Sequence, residues 1–440
     1  MKYSKKNKNY FKQKKTNKNP FRKTYKKTYN KKTHKNLFRK TYKKSYKKTY
    51  RNIKKDYHTY IVKSKVLNEN LIKKIMEKRG NWRPFHKIHK NSFPDFIYTD
   101  FTTTHGNKDL FDLKVGIKNI IGEEKKKISK KNNLNETLKE TLKKHPNEIF
   151  AKCLIQDYTI NIIPSNFENI KKLGKELFEK KKVWILKPIK GLLGMGIEIF
   201  DNYADFIKFV EDNLEPRDIN DLDYEEVREK YKLVGEINKI VIKAIFLSKE
   251  YVIEEYILDP LLFENKKFHI RPVFLYHKRD NKTVEGSLFK KILLAHAKED
   301  YIKDDFKNID IHDSHFRSTS RRLFFPNAFE NTLTENQIQD LMEQINMIGK
   351  YIIGSLDVGC YKESKYCYEV LGVDIIITKD LQCKIMEVQM TNISFATTKF
   401  NDALDEELFE SCMENVIDYY YPPANPIEPI NGFTKLNITF

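Results

Sequence analysis

Tyr368 to Met390 read YEVLGVDIIITKDLQCKIMEVQM, two apolar runs on either side of TKDLQ. Runs rich in Val and Ile, broken by a short polar stretch, predict a β-hairpin with its turn centred between Asp380 and Leu381. In that register Asp374 faces Glu387 and Gly372 faces Gln389. Alternate residues share a face, so all four lie on one surface. Two carboxylates opposed across a ladder repel unless one is protonated or a cation lies between them, and neutralising either acid should relieve that strain. With Gln389 as a neutral oxygen donor and Gly372 leaving room, Asp374, Glu387 and Gln389 form a candidate site for a hard cation. Mg2+ shared between protein oxygens and a ligand's phosphates fits best. A slip of one residue would separate the faces.

Upstream, YVIEEYILDPLLFENKKFHIRPVFLYH runs from Tyr251 to His277. If Lys267 to Leu275 is extended, His269 and Arg271 point to one face and Phe268, Ile270 and Phe274 to the other. A guanidinium there suits phosphate or carboxylate by its bidentate fork, and equally a salt bridge on a solvated face. Pro272 removes a ladder donor and predicts an edge or a bulge. Further upstream, KKVWILKPIKGLLGMGIEIF at residues 181–200 places two short strands, Val183–Leu186 and Ile197–Phe200, around a loop with Gly191, Gly194 and Gly196. Glycines let backbone amides wrap an anion, while Lys187 supplies charge. An ordinary glycine-rich hairpin would look the same.

The rest of the chain is read around these clusters. A charged helical stretch is expected near Glu123 to Lys144, and a helix capped by Ser165 or Asn166 with Phe167, Ile170, Leu173 and Leu177 on one face. Residues 213–236 read as a charged insert, and Glu335 to Ile353 as an amphipathic helix. Helices and strands in separate blocks predict α+β layers. Cys153, Cys360, Cys367, Cys383 and Cys412 are scattered without CxxC spacing, so they read as reduced packing residues.

The formal net charge of +22 belongs to one end. Residues 1–55 hold 24 Lys and Arg and no acid, leaving 58 basic against 60 acidic residues elsewhere. FRKTYKKTY from Phe21 recurs as FRKTYKKSYKKTY from Phe38. Such a segment buries too little apolar surface to offset its ordering entropy, so residues 1–56 are expected to be a disordered tail. Lysines interleaved with tyrosines suit a polyanion, whether nucleic acid or an acidic protein polymer, and also a merely solubilising arm. No run approaches the length of a membrane span, and the basic start lacks the apolar core of a signal peptide. The expectation is a soluble, cytoplasmic protein with no membrane partner.

Taken in order and spacing, WILKPIKGLLGMGIEIF, YVIEEYILDPLLFENKKFHIR and LGVDIIITKDLQCKIMEVQM resemble the tubulin tyrosine ligase-like family of ATP-grasp enzymes, as do RGNW and KKNNL more weakly upstream. The resemblance implies an α+β ATP-grasp fold with ATP held between two α+β layers. Domains are then expected at 57–150 (N-terminal), 151–250 (central) and 251–440 (C-terminal, with the metal site). It implies nucleotide contacts from Lys131, Lys187, Lys267, the glycine loop, His312, and a hinge at Glu254 and Ile257. Arg271 would steady the transferring phosphate, and Asp374, Glu387 and Gln389 would hold Mg2+. The implied chemistry joins a free amino acid to a protein carboxylate, tubulin or microtubules being the family's substrate, through an acyl phosphate. Several departures stand out. KFHIR replaces KFDIR, so His269 stands for an acid. Gln389 stands for Asn, Ala295 for a second arginine, and HDSH, His312 to His315, for HLTN. A catalytically impaired pseudo-ligase, binding nucleotide and tethered by its basic tail, therefore stands beside the active ligase.

Overall fold

Seventeen strands among the described residues assemble into two sheets. The computed structural model describes residues 57–63, 69–86, 92–99, 114–119, 126–180, 182–191, 195–215, 224, 242, 246–280, 283–312, 314, 323–356, 360, 364–390 and 399–440. The basic tail, Gly194, His315 and nearly all of the charged insert lie outside them. In chain order the strands are β1 (His58–Lys63), β2 (Trp82–Pro84), β3 (Phe96–Thr99), β4 (Val115–Lys118), β5 (Asp157–Asn161), β6 (Trp184–Pro188), β7 (Glu198–Phe200) and β8 (Glu250–Glu255). There follow β9 (Leu262–Phe263), β10 (Lys266–Arg271), β11 (Val273–Lys278), β12 (Val284–Phe289), β13 (Ile292–His296), β14 (Phe324–Phe325), β15 (Ser364–Ile377), β16 (Cys383–Met390) and β17 (Phe433–Leu436).

The small sheet runs β5-β8-β6-β7, all antiparallel. Its core joins Trp184, Leu186 and Ile253 to Ile170 and Leu177 of the Phe167–Phe178 helix and to Phe206 and Val210 of the Tyr203–Asp212 helix. Asn166 occupies the capping position of the first helix, but its side chain does not cap: it donates to the Asn161 carbonyl at 3.0 Å. A single 3-10 turn, Pro164–Asn166, leads into the helix instead.

The large sheet is organised by β15, 14 residues long. Along one edge it pairs first with β4, parallel, and then with β16, antiparallel; along the other it pairs with β11 and then β10. Strands β1 to β4 therefore continue the sheet that carries the hairpin. Pro272 marks a change of neighbour rather than an edge, because the outer partner switches there from β13 to β12. Alternation survives the switch. Phe268, Ile270, Phe274 and Tyr276 join one core with Leu341, Ile345, Ile348 and Ile352 of the Glu335–Gly354 helix. Burying each such Leu or Ile contributes about 2 kcal/mol. That helix starts at a capping box formed by Thr334 and Gln337. Val273 and Leu275 join a second core with Tyr368 and the Glu69–Lys78 and Lys399–Cys412 helices. His269, Arg271 and Asp374 share the parity of that second face but lie beyond its core.

Cys360 and Cys367 form a disulfide, with Cα atoms 5.4 Å apart, which corrects the reading of all five cysteines as reduced. Their spacing of seven residues carries no motif, so nothing in the sequence marks them as partners. Cys153, Cys383 and Cys412 are free and buried, as expected.

Candidate active site

The hairpin pairs as its sequence predicts at the candidate acids: Asp374 opposes Glu387 and Gly372 opposes Gln389. Nearer the turn the register differs by one, with Ile375 opposite Ile385 and Ile377 opposite Cys383, so Met386 is an extra residue bulged out of β16. The turn supplies the compensating offset. Thr378 and Gln382 close a three-residue loop in which Leu381 takes φ 61°, the left-handed step that such loops use.

Each candidate carboxylate has its own cation. Arg271 Nε donates to Asp374 Oδ1 at 2.5 Å and Nη2 to Oδ2 at 2.8 Å, the pair being almost fully buried. Lys131, in the first turn of the Lys131–Lys144 helix, donates to Glu387 Oε1 at 3.3 Å and to the Gly191 carbonyl at 3.2 Å. Lys187 meets Glu254 Oε2 at 2.5 Å across the β6–β8 ladder. The expected repulsion between Asp374 and Glu387 is thus answered by Arg271 and Lys131. Burial opposes the Arg271 charge, but contact with Asp374, helped by Glu387, outweighs it and holds the guanidinium above its ordinary pKa. Gln389 Nε2 reaches Asp374 Oδ2 at 3.4 Å.

His269 and Ala295, two of the positions that depart from the family pattern, are direct cross-strand partners on β10 and β13. His269 is buried; its Nδ1 lies 2.7 Å from Ser314 Oγ and its Nε2 3.9 Å from Asp374 Oδ1. In the loop after β6, Gly191 donates to the Pro188 carbonyl at 2.9 Å, and a Cβ there would sit 2.9 Å from Pro188 Cγ. Gly196 takes φ 73°, which favours glycine. At the end of β8, Glu255 and Tyr256 donate to the carbonyls of Gln156 and Val183 at 2.9 Å each, and half-buried Ile257 follows.

Lys267 and His312 meet through a residue the sequence reading passed over. Tyr256 Oη accepts from Lys267 Nζ at 2.7 Å and lies 2.7 Å from His312 Nδ1. Tyr256 sits between Glu254 and Ile257, both singled out from sequence, and its signal was its place in EEYIL. Ser314 was missed for the opposite reason: only the tertiary fold brings it to His269.

Among the described residues no group of three or more His, Cys, Asp or Glu is arranged to hold a metal. Asp374, Glu387 and Gln389 are nonetheless an all-oxygen set suited to Mg2+, with two carboxylates and an amide that leave the rest of the shell to a ligand's oxygens. Among the described residues, no helix is long and apolar enough to cross a membrane.

Residues 122–428 match the profile of the tubulin-tyrosine ligase family. A probable tubulin–tyrosine ligase of Schizosaccharomyces pombe, C12B10.04, is 25% identical over 315 residues, which is 67% of this chain and 75% of that protein. The probable tubulin–tyrosine ligase PBY1 of Saccharomyces cerevisiae is 23% identical over 325 residues, 66% of this chain but only 41% of the yeast protein's length. Among solved structures, the C-terminal domain of K. lactis Pby1, an ATP-grasp enzyme interacting with the mRNA decapping enzyme Dcp2, superposes with a TM-score of 0.56 at 17% identity. That likeness covers 86% of this chain and 98% of the domain, and it shows an ATP-grasp fold.

Proposed function

The chain belongs to the tubulin-tyrosine ligase family, and from that premise we propose that it is an ATP- and Mg2+-dependent ligase joining an amino acid to a protein carboxylate. The observation that carries the reading is the meeting of Arg271 and Lys131 with Asp374, Glu387 and Gln389, with Lys131 also reaching the Gly191 carbonyl in the loop that follows Lys187. Three cations suit a polyphosphate, and the oxygen set suits its metal. Bound there, Mg2+ would neutralise phosphate charge; the residues that would hold it are Asp374, Glu387 and Gln389.

In the proposed reaction an oxygen of the acceptor carboxylate attacks the terminal phosphorus of ATP, and the bond to ADP breaks. The amine of the amino acid then attacks the acyl carbon, the bond to phosphate breaks, and the amine loses its proton as the amide forms. Arg271 is poised to accompany the transferring group, exchanging its carboxylate partner for phosphate oxygens, while Lys131 and Lys187 hold the nucleotide. Such catalysis rests on positioning and charge neutralisation. The names of the fungal relatives support tubulin as the acceptor to test first.

A second reading, a nucleotide-binding pseudo-ligase that tethers a partner, is favoured by one observation. Where the family carries an acid and an arginine, His269 faces Ala295. The decapping partner of the K. lactis domain is the kind of assembly that reading envisages. Turnover separates the two. Incubating the protein with Mg2+, ATP, tubulin and labelled Tyr, Glu or Gly should release ADP and label the acceptor; nucleotide binding without ADP release or label would leave the pseudo-ligase.

A further inference from the structure

Lys267 donates to Tyr256 Oη at 2.7 Å, and its ammonium also lies over the Tyr256 ring, 4.1 Å from the centroid. Beyond Tyr256 stands His312, whose Nε2 is 2.6 Å from the carbonyl oxygen of Asp305. A carbonyl only accepts, so Nε2 carries the proton. Burial, reinforced by the nearby Lys267 charge, lowers the His312 pKa despite the Asp305 bond, so the ring is neutral and Nδ1 is an acceptor. Tyr256 must then donate to His312 while accepting from Lys267. Burial raises the phenol's own pKa, which keeps that proton in place. The chain of donors runs one way, from Lys267 through Tyr256 and His312 to the backbone at Asp305. The Tyr256 ring lies edge to face with His312 and Phe306, with centroids 5.7 and 6.0 Å away, so it has little freedom to turn.

We propose that Tyr256 is a positioning residue that fixes the Lys267 ammonium for the phosphates of a bound adenine nucleotide, without itself touching the base. The inference rests on the nucleotide site proposed above and adds a residue to it. A lysine stem has four rotatable bonds, and a fixed acceptor on one side and a ring face beneath restrict the head to one place before any ligand arrives. Removing the hydroxyl should therefore weaken recognition of phosphate, and leave recognition of the nucleoside unchanged.

Titration calorimetry of wild type and Tyr256→Phe with adenosine, ADP and ATP, each with Mg2+, tests this. A hydrogen bond to a charged group corresponds to a loss of about tenfold to a hundredfold. The variant should lose about that much affinity for ADP and ATP and keep adenosine affinity within about twofold. Its melting temperature without ligand should stay within about 2 °C. In a Lys267→Ala background the same substitution should change the ratio of ADP to adenosine affinity no further, since the group it aims is gone. Should Tyr256→Phe fail to fold, His312→Gln removes the ring that accepts from the phenol and should shift the ratio in the same direction. Equal losses for adenosine and ADP, or an undiminished effect in the Lys267→Ala background, would overturn the proposal alone. A wild type that binds none of the three ligands would sink the nucleotide site itself.

Discussion

Asp374 changes meaning once its neighbours are known. From sequence it was one of two repelling acids, and neutralising it promised relief. In the fold it is 2% exposed and locked bidentate to Arg271, so Asp374→Asn strands a buried guanidinium. The expected cost is about 3–5 kcal/mol, seen as a lower urea midpoint without ligand. Glu387→Gln should cost far less, because Glu387 is about one-third exposed and its pairing with Lys131 is screened. Both variants should lose most of the rise in melting temperature that Mg2+ATP gives wild type; a full rise in both would remove the metal from this site. Strand alternation made the identities at the candidate site legible, since period two needs only the local chain. The ion pairs were hidden, because Arg271 and Asp374 are 103 residues apart and nothing in either segment names the other. His277 adds a dependence on pH. Burial, with Arg279 nearby, lowers its pKa to about 4. Between an unfolded value of about 6.5 and that figure, the unfolded chain takes up a proton that the folded chain refuses. Stability should be full above about pH 6.5 and fall by up to about 3 kcal/mol toward pH 4 through this group. Urea titrations at pH 7 and pH 5 on wild type and His277→Gln should show a smaller pH difference in the variant.

The element that decided the fold was read correctly at one end and one residue off at the other. A turn centred between Asp380 and Leu381 demands two central residues, whereas the chain uses three and absorbs the surplus at Met386. Sequence registers a turn by its polar residues but not by its length to one residue, since Lys379, Asp380 and Leu381 suit either solution. The acid pair was legible because bulge and turn offset each other. A different turn offers a direct test. Glu264 and Asn265, at φ 49° and 63°, form the two-residue connection between Phe263 and Lys266. Such turns favour Asn and Gly, and an exposed glutamate in the left-handed region is strained. Glu264→Gly should raise stability by about 0.5–1 kcal/mol, read as a higher urea midpoint; a lower midpoint would show that the glutamate side chain outweighs its backbone.

At the scale of the whole molecule, charge is divided between residues 1–55, which hold 24 cations and no acid, and a nearly neutral remainder. Deleting residues 1–55 should leave the nucleotide-induced melting shift unchanged and cut retention on a polyanion column, the lost component being the part that salt elutes. Equal retention of the two proteins at low salt would assign the binding elsewhere. Layer architecture was legible from blocks of apolar runs, but the long reach of β15 was not, since pairing with β4 and with β16 on one edge is a property of the assembled sheet. The same holds for Arg79, in the RGNW segment, which is fully buried between Asp418 and Glu410 with Nε 2.7 Å from Asp418 Oδ1. Its backbone carbonyl also accepts from Ala424 and Asn425. Arg79 leaves the ribosome 339 residues before Asp418. At about 5–20 residues per second, translation leaves the first helix and its strands without their closing partners for some tens of seconds. The uncapped cationic helix end then waits on the last stretch to be made, so nascent chains that stop short of residue 418 should be the ones that chaperones hold and proteases cut.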